Sequence, residues 1–183
     1  MNNLPNKLTI LRMLMVPAVM FFLLTESVSH PASEIIAAVI FIIASVTDWF
    51  DGRIARKYNL ITNFGKVMDP LADKLIVFAV ILCLVSNGVF PVWCAMVILA
   101  RDFLVTGMRV IAVSEGISVA ASIWGKVKTT VQMIAMVIAI LFGTSEIPAL
   151  YIASQAGIYL AVLATVISGV SYCIDYKKIF EKM

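Results

Sequence analysis

The chain has 183 residues, of which 62% are hydrophobic and 14% charged, against about 25% charged in an ordinary soluble domain. With a mean hydropathy of +1.01 it lacks the polar side chains to cover a water-facing surface, which excludes a soluble globular protein and makes the bilayer its expected solvent. The formal net charge of +3 is small; the placement of the charges says more than their sum, and no nucleic-acid partner is expected.

A membrane-spanning helix needs about 20 mostly apolar residues. Apolar runs of that kind fall near 8–25, 34–54, 67–86, 90–111, 120–142 and 149–173. The first run, with Lys7 before it and Arg12 within it, begins like a signal peptide. No small-residue cleavage site follows it cleanly and further runs come after, so it is read as retained. The first break, Glu26 to Ser33, holds the single histidine, His30, read as a solvated loop residue. Histidine-based catalysis and His-rich metal sites are thereby excluded. Cys83, Cys94 and Cys173 lie far apart inside apolar runs and are read as small apolar residues, with no disulfide framework. No internal repeat or second domain is visible. The expected architecture is one all-α domain over 1–183 with six transmembrane helices.

Positive charges orient these helices. Lys7 and Arg12 mark the N-terminus, Arg53, Arg56, Lys57 and Lys66 the second connection, Arg109, Lys126 and Lys128 the fourth, and Lys177, Lys178 and Lys182 the tail. The first, third and fifth connections carry no Lys or Arg, so both termini are expected in the cytoplasm. Lys74, Arg101, Asp102 and the acids of the second and third runs remain inside apolar segments. Each costs about 2.5–3.5 kcal/mol at the bilayer centre. Such charges are expected to face a shared polar cavity open to the cytoplasm, a functional site by default.

The second run ends Thr47-Asp48-Trp49-Phe50-Asp51-Gly52-Arg53-Ile54-Ala55-Arg56. On a helix Asp48 and Asp51 lie about 60° apart, with Gly52 and Ala55 on the same stripe, leaving room for a bulky ligand. In the third run Gly65, Asp69 and Asp73 recur every four residues. Four carboxylates, with no His or Cys, suit Mg²⁺ or Mn²⁺, and the reading takes two ions. A network of buried ion pairs with Arg53, Arg56, Lys66 and Lys74 is the alternative, though it does not require the small residues between the acids. Pro70 either deprives the Lys66 carbonyl of its helical partner or sits harmlessly in a first turn.

This pattern resembles the signature of the CDP-alcohol phosphatidyltransferase family. Asp48, Asp51, Gly52, Ala55, Arg56, Gly65, Asp69 and Asp73 fill every fixed position, with eight residues in the spacer between Arg56 and Gly65. The resemblance implies transfer of a phosphatidyl group from a CDP-linked lipid, CDP-diacylglycerol, to an alcohol, with release of CMP. It implies that Asp48, Asp51 and Asp69 bind metal and that Asp73 is the general base and also touches a metal. Gly52, Ala55, Arg56 and Gly65 would then serve the CDP-lipid. Outside the signature, three stretches are similar to the branch of the family whose acceptor is glycerol 3-phosphate. They are Pro5-Asn6 through Thr9 to Arg12, Arg101 to Gly107 with Arg109, and Gly125 to Thr129 with Gln132. Asp102 departs from the usual Glu. A homodimer is implied by the resemblance alone.

A phosphorylated acceptor needs cations beyond those matching the nucleotide phosphates, and Arg101, Arg109, Lys126 and Lys128 are the candidates. Each has a plainer reading: Lys126 and Lys128 as inside-positive anchors, Arg109 as a snorkelling side chain, Arg101 as the partner of Asp102. Asn6, Thr9 and Arg12, three apart on the first helix, are candidates for the CDP-lipid, or else cap and anchor. Serine, inositol phosphate and phosphatidylglycerol are the alternative acceptors; the cations disfavour serine but not inositol phosphate. A cation or proton transporter is the alternative of another class. Transporters tend to show related halves or helices broken at mid-membrane, whereas here the acids gather on one side.

Overall fold

In the computed structural model the backbone is described for residues 4–25, 28–57, 63–114 and 122–180, and side chains for 10–25, 28–47, 74–112 and 122–176. Six α-helices follow one another: α1 (Leu4–Leu24), α2 (Ala32–Lys57), α3 (Asn63–Ser86), α4 (Val92–Ser114), α5 (Ile123–Phe142) and α6 (Pro148–Phe180). No strand occurs among the described residues. Each expected apolar run is therefore a helix. Several run on past the apolar segment, because backbone hydrogen bonding does not stop where hydropathy does. α2 continues to Lys57, α3 begins at Asn63, and α6 extends to Phe180. The earlier start of α3 places Pro70 two turns inside the helix, which sets aside the first-turn reading. Having no amide hydrogen, Pro70 cannot satisfy the Lys66 carbonyl.

The helices group into two compact units, residues 1–89 and 90–183. In the first, α1 packs along both α2 and α3, while among the described residues α2 and α3 touch each other only slightly. Ala37, Ala38, Phe41 and Ala44 line the buried face of α2, and Val16, Val19 and Leu23 that of α1. Small residues let helix backbones approach closely, the usual basis of packing where lipid removes the hydrophobic incentive. α3 ends in a Schellman motif: Val89 N–H bonds Leu84 O at 2.9 Å, Gly88 N–H bonds Val85 O at 3.0 Å, and Gly88 has φ of 72°. Beside it, Asn87 Nδ2 donates to Leu23 O at 2.9 Å, satisfying a carbonyl at the end of α1.

In the second unit α6 packs on α5 and on α4. At Gly157 α6 lies against Ala135 of α5, where an added Cβ would make an ordinary contact at 3.6 Å. Pro148, the first residue of α6, occupies the position where a missing N–H costs nothing.

Outward faces are apolar on all six helices; Leu14, Val39, Leu82, Phe103, Ile134 and Leu163 are examples. Soluble monomers rarely expose contiguous apolar patches above a few hundred Å². Ile123–Phe142 and Pro148–Tyr176 are long and apolar enough to cross a membrane.

Candidate functional site

The acidic candidates lie in the first unit. Asp48 and Asp51 are in the closing turns of α2, and Asp69 and Asp73 in the opening turns of α3. All four stand between about one and a half and three turns from the ends joined by the short second connection. Matched depth on two consecutive helices is what a shared ligand set requires of the backbone. The side chains of these aspartates, and of Gly52, Ala55, Arg56 and Gly65, lie outside the described residues, as do those of Asn6 and Thr9. Among the described residues no three His, Cys, Asp or Glu side chains gather as a metal site.

Arg12, in α1, is 2% exposed. Its burial sets aside the plain anchoring reading, since an anchor keeps its head in water.

The basic candidates of the second unit form a described cluster. α4 supplies Arg101, Asp102 and Arg109; α5 supplies Lys128; α6 supplies Ser168 and Tyr172. Asp102 Oδ1 accepts from Lys128 Nζ at 2.6 Å and from Arg101 Nη1 at 3.0 Å. Arg101 Nη2 donates to Ser168 Oγ, and the Arg101 guanidinium stands 5.4 Å from the centre of the Tyr172 ring. Arg109 Nη2 donates to Tyr172 Oη at 3.0 Å. Lys128 is 3% exposed and Asp102 9%. A buried ammonium is tolerated because the carboxylate faces it directly. Lys128 and Gln132, four apart, form the polar part of the buried face of α5.

These contacts decide among the plainer readings. Lys128 is no surface anchor, because its ammonium is inside the unit on Asp102. Lys126, two residues away and so on the other side of α5, is exposed, and its anchoring reading stands. Arg101 does pair with Asp102, but shares that carboxylate with Lys128. Among the described residues Arg101 and Lys128 against Asp102 leave one positive charge, and Arg109, bonded to Tyr172, adds a second. A phosphate monoester carries about −1.5 to −2 near neutral pH. The cluster is therefore matched in charge to one such group, and its arginine supplies planar donors suited to phosphate oxygens.

Ser168 and Tyr172 escape a reading of the sequence that treats the last run as apolar filler. A weak signal was present: Ser168 and Tyr172 lie four apart on one face of a mostly apolar helix, with Gly169 between them. Gly169 leaves room for the stem of Arg101, whose Cγ would lie 3.3 Å from an added Cβ. Next to the cluster α4 and α6 leave a groove of about 590 Å³, apolar apart from Arg101 and Thr165.

Comparison with known proteins gives a family and named relatives. The CDP-alcohol phosphatidyltransferase family model matches residues 2–171, across both units. The CDP-diacylglycerol–glycerol-3-phosphate 3-phosphatidyltransferase of Bacillus subtilis (strain 168) is 41% identical over 181 residues, 94% of this chain and 94% of that protein. The enzyme of the same name from Rickettsia bellii (strain RML369-C) is 41% identical over 97% of each chain. A probable phosphatidylglycerophosphate synthase of Mycobacterium tuberculosis (strain H37Rv) is 38% identical over 93% of this chain and 79% of that protein.

Proposed function

The chain belongs to the CDP-alcohol phosphatidyltransferase family, and from that premise we propose that it transfers the phosphatidyl group of CDP-diacylglycerol to glycerol 3-phosphate. The products are phosphatidylglycerophosphate and CMP. The names of relatives 41% identical along nearly the whole chain support this acceptor. The observation that carries it is the cluster in which Arg101 and Lys128 share the Asp102 carboxylate and Arg109 is held on Tyr172, with a net positive charge suited to a phosphorylated acceptor. Serine brings no phosphate to such a site.

In the reaction a hydroxyl oxygen of glycerol 3-phosphate attacks the phosphorus that bears diacylglycerol. The bond from that phosphorus to the CMP oxygen breaks, CMP departs with the electron pair, and the hydroxyl proton passes to the Asp73 carboxylate. Asp48, Asp51, Asp69 and Asp73 would hold Mg²⁺ or Mn²⁺, as two ions. The all-oxygen donor set and the matched depths on α2 and α3 fit hard divalent cations. When bound, such metal neutralises the diphosphate and stabilises the leaving CMP. Gly52 and Ala55 leave space for the nucleotide, Gly65 does the same at the start of α3, and Arg56 pairs with its phosphates. Asn6, Thr9 and Arg12 of α1 are assigned to the same donor. Arg101, Arg109 and Lys128 receive the acceptor, and Lys126, exposed on the other side of α5, is left as an anchor.

Six spans in one catalytic domain, with both termini and the active site at the cytoplasmic side, are supported by the absence of Lys and Arg from the first, third and fifth connections and their presence at the termini and around the second and fourth. A homodimer completes the reading, on family resemblance.

An acceptor screen tests the proposal. Purified protein is given CDP-diacylglycerol with each alcohol in turn, and CMP is measured. Release is expected with glycerol 3-phosphate, is lost on chelation, and returns with Mg²⁺ or Mn²⁺. Release with inositol phosphate or serine, and none with glycerol 3-phosphate, overturns the choice of acceptor.

Arg109→Ala adds a test of the cation's role. A hydrogen bond to a charged group is worth about 1.5–3 kcal/mol, so the KM for glycerol 3-phosphate should rise by roughly 10- to 100-fold. A change confined to the KM of CDP-diacylglycerol would move Arg109 to the donor.

A further inference from the structure

We propose that Tyr172 is a positioning residue for acceptor binding: its hydroxyl holds Arg109 at the angle from which the guanidinium meets the acceptor phosphate. This rests on the reading of the second unit's basic cluster as the acceptor site.

Tyr172 is 3% exposed and stands where three elements come together. Its phenolic oxygen accepts from Arg109 Nη2 on α4 at 3.0 Å and from the backbone N–H of Ser122, at the threshold of α5, at 3.4 Å. Its ring lies beneath the Arg101 guanidinium, 5.4 Å from centroid to Cζ, and against Tyr176 at 6.4 Å. Gly125, in the first turn of α5, faces the same ring. A Cβ there would come within 3.3 Å of Tyr172 Cε2 and 3.4 Å of Oη. A bulkier residue at 125 would push the ring from its place. Together with Val105, Ala112 and Tyr176 the ring belongs to a small buried apolar cluster, so its plane is fixed by packing before any ligand arrives.

The consequence concerns Arg109. Its residue is exposed, and a free arginine samples many rotamers that phosphate binding must freeze. A donor–acceptor bond to an oxygen on a packed ring removes much of that freedom in advance, and preorganisation of this kind appears as affinity. A guanidinium has five N–H donors, so one spent on Tyr172 leaves four for oxygens of a ligand. Tyr172 thus acts through Arg109. It need not touch the acceptor.

The experiment compares Tyr172→Phe with the wild type in the CMP assay, varying glycerol 3-phosphate and CDP-diacylglycerol separately. Phenylalanine keeps the ring, its packing on Gly125 and its place under Arg101, and removes only the hydroxyl. The KM for glycerol 3-phosphate is expected to rise about fivefold, the size of one net hydrogen bond. The kcat should stay within about twofold and the CDP-diacylglycerol KM should not move. In the Arg109→Ala background the same substitution should add less than about twofold, since the hydroxyl then has no guanidinium to hold. Gly125→Ala, which displaces the ring by another route, should raise the same KM and leave the donor term alone. An unchanged acceptor KM in Tyr172→Phe overturns the inference. So does a full additional rise on top of Arg109→Ala, or an equal fall in both kinetic terms, which would mark a merely structural residue. Should Tyr172→Phe not purify, Gly125→Ala decides by the same readout. A wild type that releases no CMP with glycerol 3-phosphate overturns the proposed acceptor instead, and is seen before any variant is made.

Discussion

Asp73→Asn is expected to abolish CMP release, by about 100- to 10,000-fold, while the protein still binds CDP-diacylglycerol. General base catalysis contributes on that scale, and asparagine has the shape of aspartate without its capacity to take a proton. The comparison with Asp48→Asn and Asp69→Asn gives the result its meaning. Those residues are proposed as metal ligands only, so their variants should need more Mg²⁺ or Mn²⁺ for activity and recover part of it when metal is raised. Asp73→Asn should not recover, because excess metal supplies no base at the acceptor hydroxyl. If Asp73→Asn is rescued by metal as the others are, Asp73 is a ligand and the base lies elsewhere. A carboxylate next to metal is ordinarily too acidic to be a good base. Crowding by neighbouring carboxylates opposes that, so a base role within the set is chemically reasonable; that it falls to Asp73 rests on the family resemblance.

The fold was legible in proportion to how apolar each segment is. Six runs of the right length became six helices, and the errors fell at charged ends. Lys57, Asn63 and the Lys177-Lys178 pair lie inside helices although hydropathy stops short of them. The first-turn alternative for Pro70 fails for the same reason: the helix starts four residues before its apolar part. The acidic candidates were legible because their spacing lies within two adjacent helices, where 3.6-residue periodicity turns sequence distance directly into position. The basic cluster was legible only as a list of cations. That Lys128 and not Lys126 turns inward depends on which face of α5 meets its neighbours, and that Lys128 shares Asp102 with Arg101 depends on a contact across 26 residues. The spacing of Ser168 and Tyr172 puts them on one face, but which arginines that face meets depends on packing, since nothing local distinguishes a tyrosine that holds an arginine from one that fills a core.

The same triad supports a second large effect, on stability, whose sign follows from counting charge. Asp102 has two cations on one oxygen, with side-chain exposures of 11% for Asp102, 3% for Lys128 and 14% for Arg101. Asp102→Ala leaves two like charges facing each other with no carboxylate between them, in a site with little access to water. Stripping one partner from a buried ion pair costs about 3–5 kcal/mol. At about 2–4 °C per kcal/mol for a chain of this size, thermal unfolding of the purified protein should fall by roughly 6–20 °C. Lys128→Met should behave differently. It removes one cation and leaves Arg101 and Asp102 as a neutral pair, and methionine fills the space of the lysine stem without an ammonium to desolvate. Its unfolding temperature should therefore stay much nearer the wild type, while its KM for glycerol 3-phosphate rises. The double variant Asp102→Ala with Lys128→Met leaves Arg101 alone and should recover part of the lost stability, because the repulsion is gone even though the carboxylate is too. If Asp102→Ala melts with the wild type, the carboxylate is not what lets these cations be buried. If Lys128→Met is the less stable of the two single variants, the lysine serves the packing of α5 rather than the acceptor phosphate.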